Sequence, residues 1–111
     1  MSCMEPKSSQ EFDTSLDSAL ENDPYVVVYY TAVWCGPCRA IAPVFSNASI
    51  DNPKVRFFKV DIDQNQGSKR VGAISSVPKF EFYKNGTKVS EFSGGRASPA
   101  NPQKHLADLQ A

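Results

Sequence analysis

Cys35-Gly36-Pro37-Cys38 places two thiols three residues apart, a spacing suited to reversible disulfide chemistry. A thiolate attacks a disulfide and a thiol does not, so an attacking cysteine needs its charge stabilised and its sulfur within reach. The residues that follow, Arg39 to Ser49, read as a helix, with Pro37 acceptable in the first turn and Pro43 able to kink it. Cys35 therefore stands where unpaired N–H groups and the positive end of a helix dipole favour the charged form, and its pKa is expected below that of a free cysteine. Cys38 shares the helix face, so the two sulfurs can approach bonding distance while Gly36 and Pro37 shape the turn. In the expected cycle Cys35 is the nucleophile that forms a mixed disulfide with a substrate. Cys38 then resolves it, releasing the reduced substrate and leaving a Cys35–Cys38 disulfide.

Two other uses of the pair compete with exchange. Two thiolates could supply half of a tetrahedral zinc site, but Cys3 and the lone His105 lie far off without paired spacing, so no metal is expected. A purely structural bridge over so short a loop removes little entropy from the unfolded chain. Cys3, in a polar N-terminal segment outside the motif, reads as a bystander whose exposed thiol could oxidise or form an intermolecular disulfide.

The elements around the pair follow from periodicity. Ser9 to Asn22 carries Phe12, Leu16, Ala19 and Leu20 at helical spacing, with Ser9 as N-cap and Pro24 beyond the end. Tyr25 to Tyr30 is β-branched and aromatic without polar alternation, which suits a central strand buried on both faces. Val55 to Ile62 reads as a strand, Gln64 to Val71 as a short helix and Lys79 to Tyr83 as a strand. Asn85-Gly86 signals a hairpin into Lys88 to Phe92, and Gln103 to Gln110 closes as a helix. This order predicts an α/β fold with a central mixed β-sheet flanked by helices on both faces. With no repeat or linker, residues 1–111 are read as one domain.

Twelve basic residues balance twelve acidic ones without a long block of either sign, which leaves no footprint for nucleic acid or an anionic membrane. The most apolar run, Tyr25 to Trp34, is too short to cross a bilayer, and the N-terminus lacks the apolar stretch of a secretory signal. A soluble, cytoplasmic monomer is expected, and three cysteines with a single Cys-x-x-Cys suit redox use better than a secreted disulfide framework.

Trp34-Cys35-Gly36-Pro37-Cys38 at a strand-to-helix junction resembles the active-site sequence of the thioredoxin family. Ala42-Pro43, Lys59-Val60-Asp61-Ile62-Asp63-Gln64-Asn65, Val77-Pro78, Tyr83-Lys84-Asn85-Gly86 and Gly94 also resemble that family at matching spacing. The resemblance implies a thioredoxin fold and a general protein-disulfide reductase with no bound cofactor, recharged by NADPH through thioredoxin reductase and serving substrates such as peroxiredoxins. It also implies a cis Val77–Pro78 bond beside the cysteines, where residue type alone favours trans. Such a bond would leave the Val77 backbone free to pair with an extended substrate segment, with Gly94 part of the same groove. Pro78 could instead merely open a strand. Trp34 is either a docking ring beside the pair or a plain core aromatic.

Two positions depart from the family. Six residues before Cys35, thioredoxins usually carry a buried aspartate that helps move the resolving thiol's proton; here the residue is Tyr29. A phenol with an ordinary pKa of about 10 can donate to a thiolate but cannot act as its base near neutral pH, so water or another group must take that proton. Lys59 matches the lysine that neighbours the family's aspartate. It must reach Asp61, Asp63 or solvent, and is read evenly as a tuning charge or an ordinary strand lysine. Lys79, where thioredoxins usually have threonine, brings a positive charge near the groove that could favour acidic substrates, support the Cys35 thiolate or simply be solvated. Two alternatives stay open: a dithiol protein with a changed task, such as a reductant dedicated to a peroxidase or an oxidase-like member with a less reducing pair, and a non-catalytic binding scaffold or chaperone-like clamp with incidental cysteines.

Overall fold

The apolar run Tyr25–Thr31 forms the middle strand of a five-stranded sheet, because only a strand covered on both faces can bury Val26 through Thr31 without alternation. The computed structural model describes residues 3–93 and 101–111, and of Asn101 the backbone alone. The elements are β1 (Cys3–Met4), α1 (Ser9–Asn22), β2 (Tyr25–Thr31), α2 (Gly36–Asp51), β3 (Arg56–Asp61), α3 (Lys69–Gly72), β4 (Lys79–Lys84), β5 (Thr87–Ser93) and α4 (Asn101–Leu109). The strand order is β1-β3-β2-β4-β5, with β1, β3 and β2 parallel and β4 and β5 antiparallel. This is the mixed sheet expected from the order of elements.

Alternation along the strands divides the core in two. Val27, Tyr29, Phe57, Phe80 and Phe82 face α2 and α4, where they meet Ile41, Phe45, Leu106 and Leu109. Val26, Val28, Tyr30, Phe58 and Val60 face α1 and α3, where they meet Phe12, Leu16, Ala19 and Val71. The first face is rich in rings, with Tyr29 stacked on Phe80 at 4.6 Å and His105 stacked on Phe82 at 5.0 Å. Among the described residues no helix is long and apolar enough to cross a membrane.

Three local expectations are corrected. The N-cap of α1 is Ser8, not Ser9: its hydroxyl accepts the Glu11 N–H at 3.2 Å, while Glu11 accepts the Lys7 N–H at 2.6 Å. The helix expected over Gln64 to Val71 is confined to Lys69–Gly72, and residues 62–67 form turns. Side chains there outcompete the helical backbone: Asp61 Oδ1 accepts the Asp63 N–H at 2.8 Å, and the buried Asn65 amide donates to Asp61 O at 2.8 Å. Cys3 does not sit in an open polar tail; with Met4 it pairs in parallel with Phe57 and Phe58 as an edge strand. The hairpin at Asn85-Gly86 is present, with φ of 52° and 85°.

Candidate active site at the Cys35–Cys38 disulfide

The chain leaves β2 at Thr31, turns through Ala32 and Val33, and enters α2 at the cysteines. Cys35 N–H donates to Ala32 O at 3.1 Å, which closes the turn. Cys35 is the N-cap of α2 in an extended conformation, its sulfur accepts the Cys38 N–H at 3.2 Å, and Pro37 occupies the first turn, where no N–H is needed. Cys35 and Cys38 form a disulfide with their Cα atoms 5.3 Å apart. Both are nearly closed off, at 4% and 3% exposure, so a partner enters by a narrow opening.

The rim of that opening is apolar and exposed. Val33 is 77% and Trp34 64% accessible, and Trp34 Nε1 donates to Asp63 Oδ2 at 2.9 Å, which fixes the ring's orientation. Trp34 is therefore a surface ring, not a core one. Gly36 and Pro37 are exposed on the same turn. Val77 packs on Ala32, Cys35 and Cys38, and its bond to Pro78 is cis. Gly94 lies outside the described residues.

Behind the disulfide, the position of the family's acid holds Tyr29, fully buried between Phe45 and Phe80. Its hydroxyl lies 3.3 Å from both the Cys38 carbonyl and Thr31 Oγ1, so it is engaged with backbone and a hydroxyl, not with a sulfur. Burial pushes the phenol above its ordinary pKa, which keeps its proton in place at neutral pH. A cavity of about 290 Å³ opens beside it, lined by Tyr29, Thr31, Cys35, Cys38, Lys59 and Asp61, with Glu5 and Lys7 at its rim. Lys59 makes no ion pair among the described residues and lines this cavity.

The remaining candidates lie apart from the pair. Lys79 Nζ is 2.9 Å from Glu91 and 3.6 Å from the buried Glu81, so its charge is held on the face away from the cavity. Cys3 is half-buried and its thiol is raised to about 11, chiefly by burial and then by Glu5, which leaves it a poor nucleophile. Among the described residues no three His, Cys, Asp or Glu side chains converge to hold a metal ion. Sequence reasoning missed Thr31, and gave Asp61 and Asp63 no part beyond pairing with Lys59. The signal was present, since period-two alternation puts Tyr29 with Thr31, and Lys59 with Asp61, on the face turned toward α2.

A disulfide at the N-cap of a helix, reached from a buried strand and flanked by an apolar rim, defines a dithiol–disulfide oxidoreductase. The thioredoxin family model matches residues 4–106, and the chain belongs to the thioredoxin family. It is 53% identical to thioredoxin-3 of Dictyostelium discoideum over 79 residues, covering 71% of this chain and 75% of that one. It is 46% identical to mitochondrial thioredoxin O of Oryza sativa subsp. japonica over 81% of its own length, and spans 53% of that relative. The oxidised crystal structure of thioredoxin O1 from Arabidopsis thaliana superimposes with a TM-score of 0.86 at 34% identity, covering 98% of each chain. The chain is thus a protein-disulfide oxidoreductase that works by a dithiol–disulfide cycle at Cys35 and Cys38 through a mixed disulfide.

Proposed function

We propose that Cys35 is the attacking thiol and Cys38 the resolving one in the reduction of protein disulfides. The observation that carries this assignment is the Cys38 N–H aimed at Cys35 Sγ from 3.2 Å, because the same donor and the helix dipole would meet the Cys35 thiolate once the bond opens. Cys38, inside the first turn, is placed to attack Cys35 and not the substrate.

The partner's extended segment would lie over Val33, Trp34, Gly36 and Pro37 and pair with the main chain of Val77 beside Pro78, with Gly94 completing the groove. Affinity of this kind comes from main chain and apolar contact, so many disulfide proteins qualify. Tyr29, through the Cys38 carbonyl, and Lys59, through its charge on the cavity, are the residues placed to tune the resolving sulfur. Lys79 acts only through its carboxylate partners. Reducing equivalents would come from NADPH by way of a thioredoxin reductase, and peroxiredoxins are suitable substrates. Residues 1–111 would act as one monomeric domain in a reducing compartment, the cytoplasm, with the mitochondrion the competing site because two relatives are named as mitochondrial.

Insulin disulfide reduction at neutral pH with NADPH and thioredoxin reductase tests this assignment. Wild-type turnover that Cys35→Ser abolishes, together with a trapped mixed disulfide in Cys38→Ser, is expected. Turnover that survives Cys35→Ser would overturn the role of Cys35. Tyr29 in place of the buried acid favours one second reading, an electron donor dedicated to a single partner; slow insulin turnover beside rapid turnover of one peroxidase would establish it.

A further inference from the structure

We propose that Asp61 takes the proton of Cys38, through water held in the cavity behind the disulfide. The inference rests on the reading that Cys38 resolves the mixed disulfide. Resolution requires a Cys38 thiolate, and a thiol of ordinary pKa, about 8.5, is mostly protonated near pH 7.

The topology sets Asp61 facing the cysteines. β2 and β3 run parallel with Tyr29 beside Lys59 and Thr31 beside Asp61. Phe58 and Val60 point into the core under α1, so Lys59 and Asp61, in alternation with them, point toward α2, whose first turn carries Cys38. Cys38, Asp61 and Lys59 line one cavity of about 290 Å³, room for several waters, with polar groups on several walls to hold them.

The other groups facing that cavity can be sorted by chemistry. Tyr29, from β2, keeps its proton and serves the Cys38 carbonyl or Thr31. Lys59 on β3, Lys7 beyond β1 and Arg39 in α2 are cations. Among the described residues lining it, only Asp61 and Glu5 bring carboxylates. Glu5 is exposed, whereas Asp61 is half-buried and held by the Asp63 N–H on Oδ1 at 2.8 Å, with Oδ2 free of protein partners among the described residues. Lys59 lines the same cavity, where a positive charge favours the thiolate that the transfer creates.

The step balances. Cys38 S–H gives its proton to a cavity water, which passes one to the Asp61 carboxylate. The Cys38 thiolate attacks Cys35 Sγ, a Cys35–Cys38 bond forms, and the bond from Cys35 to the substrate sulfur breaks. The substrate departs as a thiolate carrying the electron pair, and protonated Asp61 returns its proton through the same waters to that sulfur or to solvent.

Reduced protein carrying Cys3→Ala, which removes the third thiol, mixed with dithiobis-nitrobenzoate in a stopped-flow instrument separates Cys35 from Cys38. The first thionitrobenzoate released reports attack by Cys35, and the second reports resolution by Cys38. Asp61→Asn keeps the acceptor for the Asp63 N–H and removes the base. The first phase is expected to be unchanged and the second slowed by about tenfold or more near pH 7, with the gap closing above about pH 9.5, where the thiol ionises unaided. An unchanged second phase, a deficit equal at every pH, or a deficit in Glu5→Gln in place of Asp61→Asn would overturn the proposal. Loss of the first phase in wild type would instead bring down the assignment of Cys35.

Discussion

Cys3 differs from the other two cysteines in what surrounds its sulfur. It sits on an edge strand under Glu5, half-buried, and holds its proton to about 11 where the ordinary value is 9.0. Between these values the folded chain keeps a proton that the unfolded chain has released. Its contribution to stability is therefore intact below pH 9 and is lost as pH rises toward 11. Urea unfolding of the oxidised protein across that window should show wild type losing about 2 kcal/mol more than Cys3→Ala; parallel losses would show that the thiol is not shielded. The environment of Cys3 was hidden in the sequence, because a two-residue strand has no periodicity and looks like a polar tail. The Cys35–Cys38 pair was legible for the opposite reason: its chemistry depends on local spacing and on the helix that starts there. Tyr29 lies between these cases. The missing acid could be read from residue type, but the groups that meet at the cavity in its place come from three separate segments.

At the scale of elements, the β4–β5 hairpin shows how much one turn position can demand. Gly86 has φ of 85°, and a Cβ there would meet the Leu20 carbonyl oxygen at 3.1 Å. Gly86→Ala is expected to cost about 1–2 kcal/mol, seen as a lower urea midpoint with insulin turnover intact, since the turn lies at the end of the sheet remote from Cys35. A midpoint at or above that of wild type would show that the turn relaxes without strain. Asn85-Gly86 was visible beforehand because turn chemistry is written in two residues. The reach of α3 was not. Gln64 to Val71 has a helical pattern, yet Asn65 and Asp61 bind nearby backbone and hold the first half as turns. Propensity lost there to local side-chain hydrogen bonds, to which the Pro6 carbonyl, from a distant part of the chain, adds a further acceptor for Asn65.

The whole molecule is a sheet between two cores. Leu16 belongs to the core under α1 and Ile41 to the core under α2, with β2 between them. Leu16→Ala should cost about 2–5 kcal/mol and Ile41→Val about 0.5–1.5 kcal/mol. In a denaturant double-mutant cycle the two costs should add to within about 0.5 kcal/mol, and a larger coupling would mean that strain crosses the sheet. The sheet order was readable as a class, mixed and flanked on both faces, because central burial shows in Tyr25 to Tyr30. The uneven sharing of aromatic rings between the faces was not, since it depends on register. That sharing includes His105, the residue by which α4 leans on Phe82 and Phe92 and reaches Ser90 at 3.1 Å. Burial, with help from Lys104 and against the pull of Asp108, lowers its pKa, so an unfolded chain takes up a proton that the folded ring refuses. The clasp is whole above about pH 6.5 and slackens as acidity grows. Mild acid should therefore loosen α4 while the redox centre stays closed. Protection of the α4 amides, read from exchange rates corrected for the intrinsic slowing of exchange in acid, would fall below about pH 6, and His105→Phe would remove that acid sensitivity.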